Sequence, residues 1–307
     1  MSTRPTDGFD ATTILLWSAR RTGALDALMT SAETADEVAA ETDLTDRAAR
    51  VLVAALADAG IVERVGGTYE PTNRALGFLT RRDLRSIGRR PHELDLLELY
   101  LDLPDTLESG AVPETPEDWT RNRLGAAAAT DEATVRAIVT AAVREAPASA
   151  RILDVGGAPG QLAREFVSRG HDVTVVDNSE AVEACRDLLR PEPIDLVAGG
   201  PVAALPEGFD LIFANGLTHL LGPAENRDFV ANAHEALTED GRIVLVDALH
   251  GDSQLAPAAA LEALTTSQQG EAYDASTVRD WLDAAGFDRI EVRTIPGTDL
   301  QAAVGRA

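Results

Sequence analysis

Lysine is absent from the 307 residues, so arginine supplies the whole basic complement: 27 residues against 51 acidic ones, a net charge of −24. An acidic surface without lysine fits a high-salt cytosol, where ions screen self-repulsion and carboxylates keep the chain hydrated. Cysteine is nearly absent too. Cys185 stands alone, which excludes an internal disulfide and a cysteine-based metal cluster. No apolar run approaches the ~20 residues needed to cross a bilayer. The stretch Met1 to Asp10 has no apolar signal core. Neither His-Glu-x-x-His nor Gly-x-Ser-x-Gly occurs, which leaves metallohydrolase and serine hydrolase readings without support. The expectation is a soluble, cytoplasmic protein with no metal and no membrane partner, long enough for two domains.

What is present centres on Arg151-Ile-Leu-Asp-Val-Gly-Gly-Ala-Pro-Gly160. A short apolar run breaks into a glycine-rich turn, and helical spacing resumes with Leu162, Phe166 and Val167. This reads as a buried strand, a tight loop and the N-terminus of a helix, which favours polar or anionic groups. A second β-like run, Asp172 to Val176, ends in Asp177, 21 residues after Gly156. An acid about 20 positions on is where βαβ folds hold a nucleoside ribose. The dinucleotide spacing Gly-x-Gly-x-x-Gly is missing, and the pattern is Asp154-x-Gly156-x-Ala158-x-Gly160. The stretch is therefore a candidate nucleoside-cofactor site, with Asp154, Gly156, Gly157, Gly160 and Asp177 as its residues.

Upstream, Thr34 and Glu37 form a capping box, and Thr45 opens a helix with Val51, Leu52, Leu56 and Ala59 as its expected apolar stripe. Ile61–Val65, Gly66-Gly67 and Thr68–Glu70 read as a hairpin. Helices followed by a hairpin describe a winged helix over 1–90. DNA binding is disfavoured by charge. Residues 1–90 carry 13 acids and 12 arginines, and 91–307 carry 38 and 15, whereas a DNA reader shows a basic face. Arg81, Arg82, Arg85, Arg89 and Arg90 cluster only after the hairpin. A dimerisation platform is the preferred reading. Residues 91–146 read as a helical linker that, with 248–275, can wall a substrate pocket.

From 147 to 307, strands alternate with helices: Ile152–Val155, Val173–Asp177, Ile194–Val197, Phe209–Ala214 and Ile243–Asp247. The expected fold class is α/β, a doubly wound, mainly parallel sheet. Arg289–Arg293 adds a strand, and the tail Leu300–Val304 is expected as an edge strand. Ligands sit beyond the C-terminal strand ends in such sheets, which singles out Gly199, Gly200, Asn215, His219 and Asp247 beside the glycine loop.

These elements together resemble the S-adenosylmethionine-dependent small-molecule O-methyltransferases. In that family a winged-helix dimerisation domain precedes a class I, Rossmann-like methyltransferase domain. Asp154-Val-Gly-Gly157 looks like motif I, Val176-Asp177 like the acidic ribose-binding motif, and Ala284-Ala-Gly-Phe287 like the final element. The resemblance implies S-adenosyl-L-methionine as cofactor, a small apolar or aromatic acceptor, and a homodimer through the N-terminal domain. With the charge, it implies a halophilic archaeal source. It puts His219 in the place of the family's general base, with Asp247 and Glu271 orienting the ring. A neutral hydroxyl needs such a base, and imidazole titrates near working pH. His-Leu-Leu stands where plant relatives have His-Asp-Trp, and Gly199-Gly200-Pro201 replaces the adenine-contacting acid. The alternative is a regulator that binds the same cofactor through this domain, touches DNA through the winged helix, and transfers no methyl group.

Overall fold

The computed structural model describes residues 10–79 and 83–307. The chain divides into two compact units, Met1–Glu98 and Leu99–Ala307, a boundary that cuts the 91–146 segment. In the first unit, α1 (Ala11–Arg21), α2 (Ala24–Thr30), α3 (Ala35–Glu41) and α4 (Asp46–Asp58) precede the hairpin β1 (Val62–Val65) and β2 (Thr68–Pro71). Short α5 (Leu76–Leu79) follows, and α6 (Arg90–Leu101) runs through the unit boundary. The local signals act as read. Thr34 and Glu37 cap α3 reciprocally, and Thr45 accepts from the Ala48 N–H at 3.3 Å to open α4. The α4 stripe differs from the expected one. Ala49, Val53 and Leu56 are buried, and Val51 is 59% exposed. Val51 stands two residues from either Ala49 or Val53, so on a 3.6-residue turn it faces away from them. Of the arginine cluster, Arg81 and Arg82 lie outside the described residues.

The second unit begins with α7 (Leu103–Ser109), α8 (Trp119–Ala128) and α9 (Glu132–Val143). A seven-stranded sheet follows, interleaved with α10 (Gln161–Ser168), α11 (Ser179–Leu189), α12 (Pro223–Ala236), α13 (Ala256–Thr266) and α14 (Ala275–Ala284). Its strands are β3 (Arg151–Val155), β4 (Asp172–Asp177), β5 (Ile194–Ala198), β6 (Phe209–Asn215), β7 (Leu237–Asp247), β8 (Asp288–Thr294) and β9 (Gln301–Arg306). Their order is β5-β4-β3-β6-β7-β9-β8. The first five are parallel and β9 is antiparallel to both of its neighbours. Sheet residues such as Leu153, Ile212 and Leu245 form one core with Phe229 of α12 and Trp281 of α14. Phe166 of α10 stacks edge-on against Phe213, with ring centroids 5.2 Å apart. The sheet thus has helices on both faces, as the near-continuous apolar runs require.

One expectation is corrected. The tail strand is not an edge, because β9 is inserted between β7 and β8. Its residues Gln301–Gly305 are all buried, whereas β8 is half exposed and carries Asp288, Arg289, Glu291 and Arg293. Charge suits an edge and small apolar residues suit the interior. Gly305 fits this inner place because a Cβ there would lie 2.9 Å from that of Phe287.

Candidate active site

The chain reversal of the sheet falls between β3 and β6, where the crossovers leave to opposite sides and open a crevice at the strand ends. One cavity of about 330 Å³ lies there. Gly156, Asp177, Gly199, Gly200 and Asn215 line it, five of the eight residues expected to hold a cofactor. Asp154, Gly157 and Gly160 do not line it. They build the loop beneath. Gly156 and Gly160 have φ of +74° and +89°, a region that L side chains avoid. A Cβ on Gly157 would collide with the Asp154 carboxylate. Asp177 is fixed by donors on both oxygens: the Ala158 N–H reaches Oδ2 at 3.2 Å, and the Asn178 N–H and Nδ2 reach Oδ1 at 2.8 and 3.0 Å.

Asp154 is 1% exposed, and its Oδ2 has no hydrogen-bond partner. Burial first, then the charge of Asp177, pushes its carboxyl up to about 7. The buried Oδ1 of Asn215 is also without a partner, although the residue borders the cavity. Gly199 keeps that wall thin, since a Cβ there would stand 3.1 Å from a Val176 methyl carbon. An orphaned acceptor, a fixed carboxylate and a side-chain-free wall fit a nucleoside-bearing ligand.

His219 sits on a single 3₁₀ turn, Thr218–Leu220, just after β6. The buried Asn226 fastens this turn by donating to the carbonyls of Thr218 and Leu221 at 2.9 and 3.0 Å. Gly270 packs against the His219 carbonyl so closely that a Cβ would overlap it. Nδ1 of His219 lies 2.9 Å from Oδ1 of Asp247, and the Thr218 hydroxyl donates to Asp247 Oδ2 at 2.6 Å. The backbone N–H groups of His219 and Ala248 donate to the same carboxylate at 3.2 and 2.8 Å. Burial disfavours the imidazolium, but the charge and hydrogen bond of Asp247, joined by Glu262, carry its pKa up to about 10. Asp247 goes the other way: burial opposes ionisation, and the His219 charge and these donors hold its pKa below the usual value.

The structure brings His219 and Asp247 together and leaves Glu271 out. Glu271 is exposed, so the carboxylate facing the second ring nitrogen is not the expected one. Glu262 of α13 takes that place, its Oε2 3.7 Å from His219 Nε2. Glu262 lines the cavity with Thr266, and α8 contributes Trp119 and Arg123. None of these four was singled out from sequence. One signal was available, because Glu262 is the lone charged residue in the otherwise neutral α13. Among the described residues no group of three or more His, Cys, Asp or Glu is placed to hold a metal ion. No described helix is long and apolar enough to cross a membrane.

Comparison with known proteins defines the class. A methyltransferase-domain model matches residues 127–292, more than half of the chain, and the chain belongs to that family. Over 285 residues it is 27% identical to the tetracenomycin polyketide synthesis 8-O-methyl transferase TcmO of Streptomyces glaucescens, covering 85% of this chain and 83% of that one. It is 25% identical over 166 residues to phenazine-1-carboxylate N-methyltransferase of Pseudomonas aeruginosa, covering half of this chain and 49% of the other. Among solved structures, PigF with SAH has the same fold, with a TM-score of 0.72 at 20% identity over 96% of both chains.

Proposed function

We propose that the protein is a small-molecule O-methyltransferase that acts on a hydroxyl of an apolar or aromatic acceptor. The observation that carries this reading is the shared cavity: Asp177 and the glycine loop border it, and so does Glu262, which faces His219. Its cofactor is S-adenosylmethionine, which when bound supplies an electrophilic methyl group on a sulfonium. Asp177 would hold the ribose, with Gly156, Gly199 and Gly200 giving backbone access and Asn215 an acceptor. Arg123, which makes no ion pair among the described residues, offers a cation to a ligand carboxylate. Trp119 and the leucines 217, 220 and 221 supply apolar wall. Such a pocket favours apolar acceptors, and TcmO, by its name, methylates oxygen in polyketide synthesis.

In this reading His219 is the general base. Asp247 occupies Nδ1, so Nε2 is the atom that takes the acceptor proton. The neighbouring hydrogen bonds hold the ring still while the reacting oxygen is positioned. The N-methylating relative makes a ring nitrogen the second acceptor class to screen. The first unit we read as a winged-helix dimerisation platform, with exposed Ile14, Val51 and Leu79 available for a second copy. The acidic, lysine-free composition we read as adaptation to a high-salt cytoplasm.

Calorimetric titration in molar KCl with S-adenosylmethionine and S-adenosylhomocysteine tests the reading. Both ligands should bind, and Asp177→Ala should weaken binding about 10- to 100-fold, the worth of hydrogen bonds to a charged group. A folded wild type that binds neither ligand would sink it.

A further inference from the structure

A buried base has to lose its proton before it can work again. His219 is 7% exposed and Asp247 5%. Its Nε2 is fully buried, with no hydrogen-bond partner. Once Nε2 has taken the acceptor proton the ring holds it tightly, because the charges of Asp247 and Glu262 raise its pKa. Water has no direct route to that proton. Among the described residues one carboxylate stands at Nε2, that of Glu262 at 3.7 Å, and its side chain is 30% exposed. His219 does not line the cavity, whereas Glu262 does.

We propose that Glu262 is the proton exit of the site, carrying the proton from the buried His219 Nε2 to solvent between turnovers. This rests on the methyltransferase reading given above. In the transfer the Nε2–H bond breaks, its electron pair remains on nitrogen, and a new O–H bond forms on Glu262 Oε2. The proton then passes to water or a buffer base, and Glu262 returns to a carboxylate. A rotation of one side chain closes 3.7 Å to hydrogen-bonding distance. Asp247 lies behind the ring on Nδ1, and Tyr100 faces Glu262, its hydroxyl pushed up to about 12 by burial and then by that charge. Tyr100 therefore stays neutral and does not compete for the proton. The same geometry gives the carboxylate a second duty. It occupies the space before Nε2 that an acceptor hydroxyl must enter, so acceptor binding turns Glu262 outward, toward solvent.

The test needs neither donor nor acceptor. On protein labelled with ¹⁵N-histidine, the exchange of the His219 Hε2 proton with water is measured by NMR at pH 7 to 8 in molar KCl. Glu262→Gln keeps the shape and removes the base. It should slow exchange at least about tenfold, at the low end of what one positioned proton-transfer group contributes. Added formate, small enough for the cavity, should restore the rate in proportion to its concentration. Glu262→Ala serves as the second variant and should be rescued more strongly. Unchanged or faster exchange in Glu262→Gln overturns the proposal, as does slow exchange that formate leaves untouched. Failure of cofactor binding in the calorimetric experiment would instead strike the methyltransferase reading, and the exchange result would stand apart from it.

Discussion

Two aspartates, each at the C-terminal end of a strand in the same sheet, are almost equally buried and have opposite electrostatic fates. Asp154 on β3 meets Asp177, a like charge, and its own Oδ2 has no donor. Asp247 on β7 meets His219 and gathers donors from Thr218, His219 and Ala248. Burial raises both pKa values. Only Asp247 has partners strong enough to reverse the shift. Burial alone therefore says nothing about the charge of a carboxylate. The donors around it decide. One corner keeps a carboxyl that is readily neutral, as suits a floor beneath a ligand, and the other keeps a permanent anion behind a base.

The largest expected effect comes from breaking the satisfied corner. Asp247→Asn removes the anion that the buried His219 pairs with. Breaking a buried pair costs about 3–5 kcal/mol, and thermal unfolding should show it. The His219 pKa should fall from about 10 toward or below its ordinary 6.5. Methyl transfer to an acceptor found by screening should drop about 10²- to 10⁴-fold. The raised value also gives wild type a pH signature. The contribution of His219 to stability is complete below about pH 6.5 and is lost as pH rises through about 10. An Asn variant with an unshifted His219 titration would dissolve the comparison.

Asp154→Asn should act in the opposite direction. The folded carboxyl titrates near 7 and the unfolded one near 3.8, so the folded chain binds the extra proton between those values. Stability then falls as pH rises through that window, and the ionised Asp154 costs on the order of 4 kcal/mol above it. An amide cannot ionise. The variant should melt higher than wild type at pH 8, by up to about 8–16 °C for a unit of this size, and its melting temperature should be flatter between pH 4 and 7. Equal melting curves for wild type and variant would mean that ionised Asp154 carries no cost in the folded chain.

The two corners were not equally legible. Asp154, its glycines and Asp177 lie on one βαβ unit, so chain spacing alone reports which residues share a loop. His219 follows β6 and Asp247 ends β7; the strand-end rule marked both as ligand positions, and the family resemblance paired them. Glu262 lay within 248–275, a stretch the sequence suggests as pocket wall, but was not singled out, because α13 docks beside the His219 turn through packing, which no local pattern encodes. The resemblance pointed to Glu271 instead, which is exposed. The place of β9 was hidden for a similar reason. A short apolar tail reads alike as edge or interior until the charges on β8 are weighed against it.

The smallest effect is the most discriminating. Thr218→Val keeps the shape of a side chain that is 3% exposed and deletes one donor, the 2.6 Å bond to Asp247 Oδ2. If Asp247 owes its ionised state to the sum of its donors, losing one costs about 1.5–3 kcal/mol, the range for hydrogen bonds to charged groups. The remaining carboxylate charge would then be less well neutralised and would attract the imidazolium more strongly, so the His219 pKa should hold or rise slightly. If the His219 charge alone sustains Asp247, Val should cost less than 0.5 kcal/mol, about the worth of an ordinary peripheral change. Thermal melts paired with histidine NMR separate the two cases. A large loss of stability with a falling His219 pKa fits neither, and would show that the hydroxyl aligns the ring as well as feeding the carboxylate.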